Sequence, residues 1–429
     1  MSAYSARNRP TGWHDVVSPA IKGASRHTLT TPEGHAVTQS LPDRLNEAVA
    51  VLDRLVGFPT ISTDSNLALV DYVVDYLGRQ DVACHITRDA GGGKANILAM
   101  IGPAQTGGLV LSGHTDVVPV ADQPWTTNPF VLHEVDGRLY GRGSADMKGF
   151  IACALASVPA MRAHRLERPI MLSFSYDEEI GCNGVHQVID TLGKAVPKPD
   201  LCIVGEPSGM RIINAHKGVR LFSTVFRGAD CHSSDPRAGA SAVHAAVAVL
   251  AELLAMEDEL RQRGDSVLSL PVGFDPPYST LNIGRVVGGT TTNILARECR
   301  VDWELRLLPG QDVDEVPKRI ERLVNEKIRP QLQAVDPGCT VETEMLCDVP
   351  PLAPERDPRA EQLSKRLTRS NATETVSFGS EAGLFQRAGL STVICGPGEI
   401  SVAHKPDEYV TRDQIALCLR FLDRLVQSS

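Results

Sequence analysis

Apolar residues recur at helical spacing over Leu45–Leu55, at Leu45, Val49, Leu52 and Leu55, until Gly57-Phe58-Pro59 ends the run. A second helical pattern runs from about Asn66 to Leu77. The pattern then shortens. Val82–Ile86 and Asn96–Met100 flank the turn Gly91-Gly92-Gly93 and read as a hairpin, while Leu109-Val110-Leu111, Pro169–Ser175 and Leu201–Val204 read as buried strands. Between the first two buried strands, Met147–Arg165 reads as an apolar helix. Strands alternating with helices predict an α/β fold.

From about residue 213 the order changes to a strand over Val219–Phe226, a long amphipathic helix over Ala238–Arg263, strands over Thr280–Val287 and Glu298–Leu307, a helix over Asp312–Ile328 and a strand over Thr340–Leu346. That βαββαβ order is similar to a ferredoxin-like plait. The α/β pattern resumes with Pro358–Ser370, Thr392–Cys395 and Arg412–Val426. The expected organisation is an irregular arm over residues 1–38, a mixed-sheet α/β domain over 39–212 and 349–429, and an inserted α+β unit over 213–348.

A chain of 429 residues is too long for one core, in keeping with two domains. The net charge of −9 argues against a nucleic-acid partner, which needs a basic face. No segment approaches the ~18 consecutive apolar residues of a membrane span, and the first residues lack the apolar core of a secretion signal, so neither membrane association nor export is expected. Ten cysteines without a CxxC pair suit reduced thiols and a cytoplasmic setting.

The candidate chemistry collects where strands end, which in an open α/β sheet is where ligands bind. Leu109–Leu111 leads into His114-Thr115-Asp116; His114 is a natural metal ligand, and Asp116, two residues on, points the same way and is placed to accept a hydrogen bond from the ring. The turn Gly141-Arg142-Gly143-Ser144-Ala145 puts Asp146 at the start of the next helix, where an aspartate also serves as a plain N-cap. Asp177-Glu178-Glu179 follows Pro169–Ser175, and three adjacent carboxylates repel unless solvent or a cation relieves them. Glu206 follows Leu201–Val204, and His404 lies in the loop after Thr392–Cys395. Nitrogen and oxygen donors without thiolates suit zinc, cobalt or manganese. Five such ligands exceed the needs of one catalytic zinc, whereas two ions sharing a carboxylate use them all, and such a pair polarises a carbonyl and activates water for hydrolysis. Glu178, beside the ligand Glu179 but diverging from it, is then free to act as a base.

His114-Thr115-Asp116, Gly143-Ser144-Ala145-Asp146-Met147-Lys148-Gly149, Asp177-Glu178-Glu179, Gly205-Glu206-Pro207 and Ala403-His404 together resemble, in order, the motifs of the co-catalytic dizinc peptidases and deacylases that include aminoacylase, glutamate carboxypeptidase and succinyl-diaminopimelate desuccinylase. The resemblance implies a zinc-peptidase catalytic domain with an inserted lid and dimerisation domain. It also implies two Zn2+ per chain, with Co2+ or Mn2+ as substitutes. His114 and Glu206 complete one metal, Glu179 and His404 the other, and Asp146 bridges; Asp116 orients His114, and Glu178 is the general acid/base. In the insert, Ala229-Asp230-Cys231-His232 is similar to the motif whose histidine steadies the oxyanion, often in a partner subunit's site, although Asp230-Cys231 stands where small residues are usual. Asn293 and Arg306 match substrate-contacting positions, Arg306 as a carboxylate clamp. Phe378–Gln386, with Gly396-Pro397-Gly398 and His404–Val410, is most similar to the acetylornithine deacetylases, which implies N-acetyl-L-ornithine as the small-molecule substrate, with Glu381 facing its free amine or serving as a helix-start carboxylate. A related deacylase or short-peptide hydrolase, and a metal-free binding protein of the same fold, are the competing readings. A nucleotide-binding protein is disfavoured because no GxGxxG or phosphate-loop lysine is present.

Overall fold

The computed structural model describes residues 40–264 and 273–428; the expected irregular arm, 1–38, lies outside them. In chain order the strands are β1 (Cys84–Arg88), β2 (Ala95–Ile101), β3 (Leu109–His114), β4 (His133–Val135), β5 (Arg138–Tyr140), β6 (Ile170–Ser175), β7 (Leu201–Pro207), β8 (Ile213–His216), β9 (Gly218–Arg227), β10 (Thr280–Gly288), β11 (Glu298–Leu307), β12 (Thr340–Val349), β13 (Glu374–Val376), β14 (Ser391–Gly396) and β15 (Tyr409–Thr411). The main sheet has the order β1-β2-β6-β3-β7-β14-β8-β13. Its centre, β6-β3-β7-β14, is parallel, and β1 and β2 add an antiparallel hairpin at one edge, as the pattern predicts.

Alternation along these strands builds two cores. Leu109, Leu111, Leu172, Phe174 and Ile203 face one side, where helices Leu41–Val56, Lys148–Ala156 and Arg412–Gln427 pack. Val110, Met171, Cys202 and Val204 face the other. Burial on both faces is why β3 and β6 read as continuous apolar runs rather than alternating ones. Gly205 shows how close the layers come, since a Cβ there would lie 2.0 Å from the Phe150 ring. The helix expected over Met147–Arg165 is two helices, Lys148–Ala156 and Val158–Ala163. Pro159 has no N–H to continue the ladder, and Ser157 Oγ donates to the Cys153 carbonyl at the break (2.8 Å).

A second, antiparallel sheet, β10-β11-β9-β12, has the strand order and connectivity of a ferredoxin-like plait. Helix Ala242–Arg263 and the helical stretch from Glu315 cover one face of it. That stretch passes the expected end at Ile328, through a wide turn over Val324–Ile328, and stops at Gln333. Its own core includes Phe226, Val249, Leu253, Val301, Leu305 and Ile320, with Phe222 and Trp303 stacked at 4.2 Å. Lys217 alone joins β8 to β9, and the chain returns through Pro350-Pro351 where the His216 N–H donates to the Leu352 carbonyl (3.1 Å). Among the described residues no helix is long and apolar enough to cross a membrane.

Candidate metal centre

All four central parallel strands point their C-terminal ends at one place. β3 ends on His114, β7 carries Glu206 as its penultimate residue, β6 leads into Asp177-Glu178-Glu179, and the loop after β14 brings His404. Asp146 comes from the turn before helix Lys148–Ala156. Its side chain does not cap that helix; Met147 occupies the N-cap. Instead, Asp146 Oδ1 lies 3.0 Å from His114 Nε2 and Oδ2 lies 3.3 Å from His404 Nε2. Glu206 Oε1 is 3.9 Å from His114 Nε2, and Glu179 Oε2 is 3.0 Å from His404 Nε2. The result is two ligand groups, His114-Asp146-Glu206 and Asp146-Glu179-His404, each with its donor atoms within 4.8 Å of one another and with Asp146 common to both.

The three consecutive carboxylates part company at once. Asp177, in a left-handed conformation (φ 56°), turns back to an ion pair with Lys94. Glu179 reaches His404. Glu178 belongs to neither ligand group and receives the Cys182 thiol on Oε1 (3.4 Å).

Asp116 organises this corner in a way that the i, i+2 spacing only partly anticipates. His114 Nδ1 donates to the backbone carbonyl of Asp116 (2.9 Å), while the carboxylate is farther off (3.6 Å). A carbonyl only accepts, so when the ring is neutral, as a metal ligand must be, its proton sits on Nδ1 and Nε2 is left for the metal. The Asp116 carboxylate takes the N–H groups of Glu178 (3.1 Å) and Glu179 (3.2 Å) and the Ser62 hydroxyl (2.7 Å). One aspartate thereby sets the ring of His114 and the backbone that aims both glutamates.

The electrostatics call for cations. Burial, with Asp146 nearby, pushes Glu206 well above the usual carboxylate range and Glu179 up to about 7. Burial also raises Glu178, with Glu179 and Glu381 adding to the effect. Hydrogen bonds to Asp146 and Glu179 push His404 up to about 10. Burial opposes the charge on Asp146, but the two histidines outweigh it and hold that carboxyl low. Glu206 Oε1 is buried without any hydrogen-bond partner, an acceptor that a bound cation would satisfy. The donor set and this orphaned oxygen both fit divalent metal ions.

Glu408, which no strand-end pattern points to, holds the Asp146 turn in place. Its carboxylate accepts from the N–H groups of Gly143 (3.1 Å), Ala145 (2.9 Å) and Asp146 (3.0 Å) and from Arg142 Nη1 (2.7 Å), with both side chains 1% exposed. Arg142 lies over the Trp125 ring, and Gln123 Nε2 donates to the His404 carbonyl (3.1 Å). The loops bearing Asp146 and His404 are thereby one hydrogen-bonded unit. The only sequence signal is Glu408's place four residues after His404.

Of the remaining expected site residues, those of the antiparallel unit lie apart from this cluster. His232 is exposed and its Nδ1 meets Ser234 Oγ (2.7 Å). Asn293 is exposed beside it and accepts on its carbonyl from the Ser233 N–H (3.0 Å). Arg306, half-buried on β11, pairs with Glu304 (3.2 Å). Glu381 does not face open space: it is 1% exposed, and its oxygens accept from Ser112 Oγ (3.1 Å) and Ser175 Oγ. It stands at the N-cap of helix Ala382–Arg387 without capping it.

A parallel sheet whose strand ends gather two metal-ligand groups around a shared carboxylate, beside an antiparallel α+β unit, defines the architecture of a two-metal hydrolase. The sequence model of peptidase family M20/M25/M40 matches residues 110–428, and the chain belongs to that family. Acetylornithine deacetylase of Myxococcus xanthus is 36% identical over 394 residues, covering 90% of this chain and 98% of the relative. Among solved structures, an M20 family metallo-carboxypeptidase from Sulfolobus solfataricus superposes with a TM-score of 0.68 at 16% identity, over 89% of this chain and 98% of its own. The YXEP protein of Bacillus subtilis, a dinuclear metal binding peptidase, gives 0.62 at 16% identity over 90% and 98%. The protein is a hydrolase of amide bonds, of the metal-dependent deacylase and peptidase class.

Proposed function

We propose that the protein removes the acetyl group from N-acetyl-L-ornithine, yielding ornithine and acetate, with two zinc ions per chain. The observation that carries the hydrolytic reading is the pair of ligand groups sharing Asp146; the substrate rests on the 36% identity to acetylornithine deacetylase. His114 and Glu206 hold one ion, Glu179 and His404 the other, and Asp146 both. Bound divalent ions supply Lewis acidity to the amide carbonyl and acidify water.

Glu178, free of both ligand groups, takes the proton of the attacking water and returns it to the departing amine nitrogen. Cys182 and the Asp116-held backbone fix its direction. Arg306 pairs with the substrate carboxylate in place of Glu304. His232 and Asn293 belong to a site completed by a second copy, in which His232 donates to the oxyanion. Their exposure, and that of Val286, Val287 and Ile294 on and beside the edge strand β10, supports a homodimer through the unit 213–348. Ten unpaired cysteines, eight of them buried, support a reducing, cytoplasmic setting.

The test is kcat/KM on N-acetylornithine, N-acetylmethionine and succinyl-diaminopimelate with saturating zinc. Preference for the first is expected. Preference for either of the others moves the protein to a sister deacylase, and turnover of none leaves a binding protein of this fold.

A further inference from the structure

The tightest feature of the site that the reaction leaves unused is Glu381. It arrives from the segment before β14, yet its side chain crosses beneath the ligand edge to β3 and β6. In the register of those strands His114 lies opposite Ser175, and Ser112 precedes His114 by two residues, so Ser112, His114 and Ser175 share one face of the sheet. Glu381 occupies that face directly under the ligand. One oxygen accepts from Ser112 Oγ (3.1 Å), the other from Ser175 Oγ, and both serines are fully buried. Ser175 is the last residue of β6, three before Glu178 and four before Glu179. The two strands carrying His114 and the glutamates are thereby tied through one carboxylate.

We infer that Glu381 is a positioning residue: by bracing Ser112 to Ser175 it fixes His114 against Glu178 and Glu179, and it does not hold the substrate's amine. An amine-binding carboxylate needs an oxygen open to the substrate, and here each oxygen already accepts a buried serine hydroxyl and the side chain is 1% exposed. Removing a group that orients metal ligands from behind costs about 10–100-fold in activity or metal affinity. Glu381→Gln keeps the length and two polar atoms, and a serine hydroxyl can donate to its oxygen or accept from its amide, so it restores most of what Glu381→Ala removes.

The inference rests on the two-metal reading and is tested in two ways on the full-length protein. The first is the visible absorption spectrum of the cobalt-loaded protein, which needs no substrate. Glu381→Ala is expected to bind two ions with an altered spectrum, and Glu381→Gln to recover the wild-type bands. The second compares N-acetyl-L-ornithine with N-acetyl-L-norvaline, which lacks the terminal amine. Glu381→Ala is expected to lower kcat by about 10–100-fold on both alike, with KM little changed. An unchanged cobalt spectrum, or a loss confined to N-acetylornithine and expressed in KM, overturns the inference. Should wild type hydrolyse neither substrate, the proposed function fails and the spectrum alone decides the role of Glu381. If Glu381→Ala does not fold, Ser175→Ala takes its place, with a smaller loss shared by both substrates expected.

Discussion

The ligand edge of the main sheet and the His232–Asn293 loops of the antiparallel unit are both read as functional, yet they are built differently. At the edge the polar groups are braced from within the chain, except Glu206 Oε1, which is left for a cation. Asp116 serves His114, Glu178 and Glu179, Glu408 clamps the Asp146 turn, and Glu381 ties two strands from below. In the loops, His232 and Asn293 are exposed, and their hydrogen bonds run to neighbours such as Ser234, Ser233 and Thr291. A cluster of buried charges stands only when each is braced, because an unsatisfied one is expensive. Groups that act from outside keep an open face. The edge is thus complete within one chain, whereas the loops have a surface still to be met.

This contrast can be broken. Glu178→Ala should reduce turnover by about 10²–10⁴-fold while metal analysis still finds close to two ions per chain; retained activity would remove the assigned base. Glu408→Ala leaves Arg142 without its carboxylate and three N–H groups without their acceptor, and should destabilise the protein by about 3–5 kcal/mol in denaturant titration. If it costs no more than an exposed loop substitution, about 0.5 kcal/mol, the edge is not braced as described.

His232→Ala reverses that pattern, with kcat falling about 10²–10³-fold while stability and metal content stay at wild-type values. Mixing this variant with an inactive Glu178→Ala chain should restore part of the activity if the histidine serves a second copy's site. The smallest effect concerns the metal-stripped protein. Glu179 has its folded-state pKa raised to about 7, above the ~4.3 of an unfolded chain. Its contribution is therefore present at low pH and lost as pH rises through about 7. His404, raised to about 10, acts in the same direction at higher pH. Stripped protein should lose thermal stability between pH 5 and 8 relative to zinc-loaded protein, and adding zinc should restore it.

Much of the edge was legible because strand ends are marked in the chain. Apolar runs at Leu109–Leu111, Ile170–Phe174 and Leu201–Val204 stop at a histidine or carboxylate, and parallel strands must present those ends together. The braces were not legible. Glu408 and Glu381 sit in loop-like stretches, and Ser62, Lys94 and Cys182 carry no periodic signal, since each owes its role to a partner remote in sequence or to a turn. The short strands β4, β5, β8, β13 and β15 escaped because three or four residues hold too little pattern.

By itself the sequence determined which donor residues stand at which strand ends, because donor type and strand termini are local properties. Tertiary structure alone decided how the three carboxylates of Asp177-Glu178-Glu179 divide among Lys94, the Cys182 thiol and His404. It also decided that Asp116 reaches His114 through its carbonyl and spends its carboxylate on two backbone amides, and that Glu381 lies under the floor of the site. Those outcomes depend on which buried groups find a partner across the sheet, a condition that spacing along the chain does not contain.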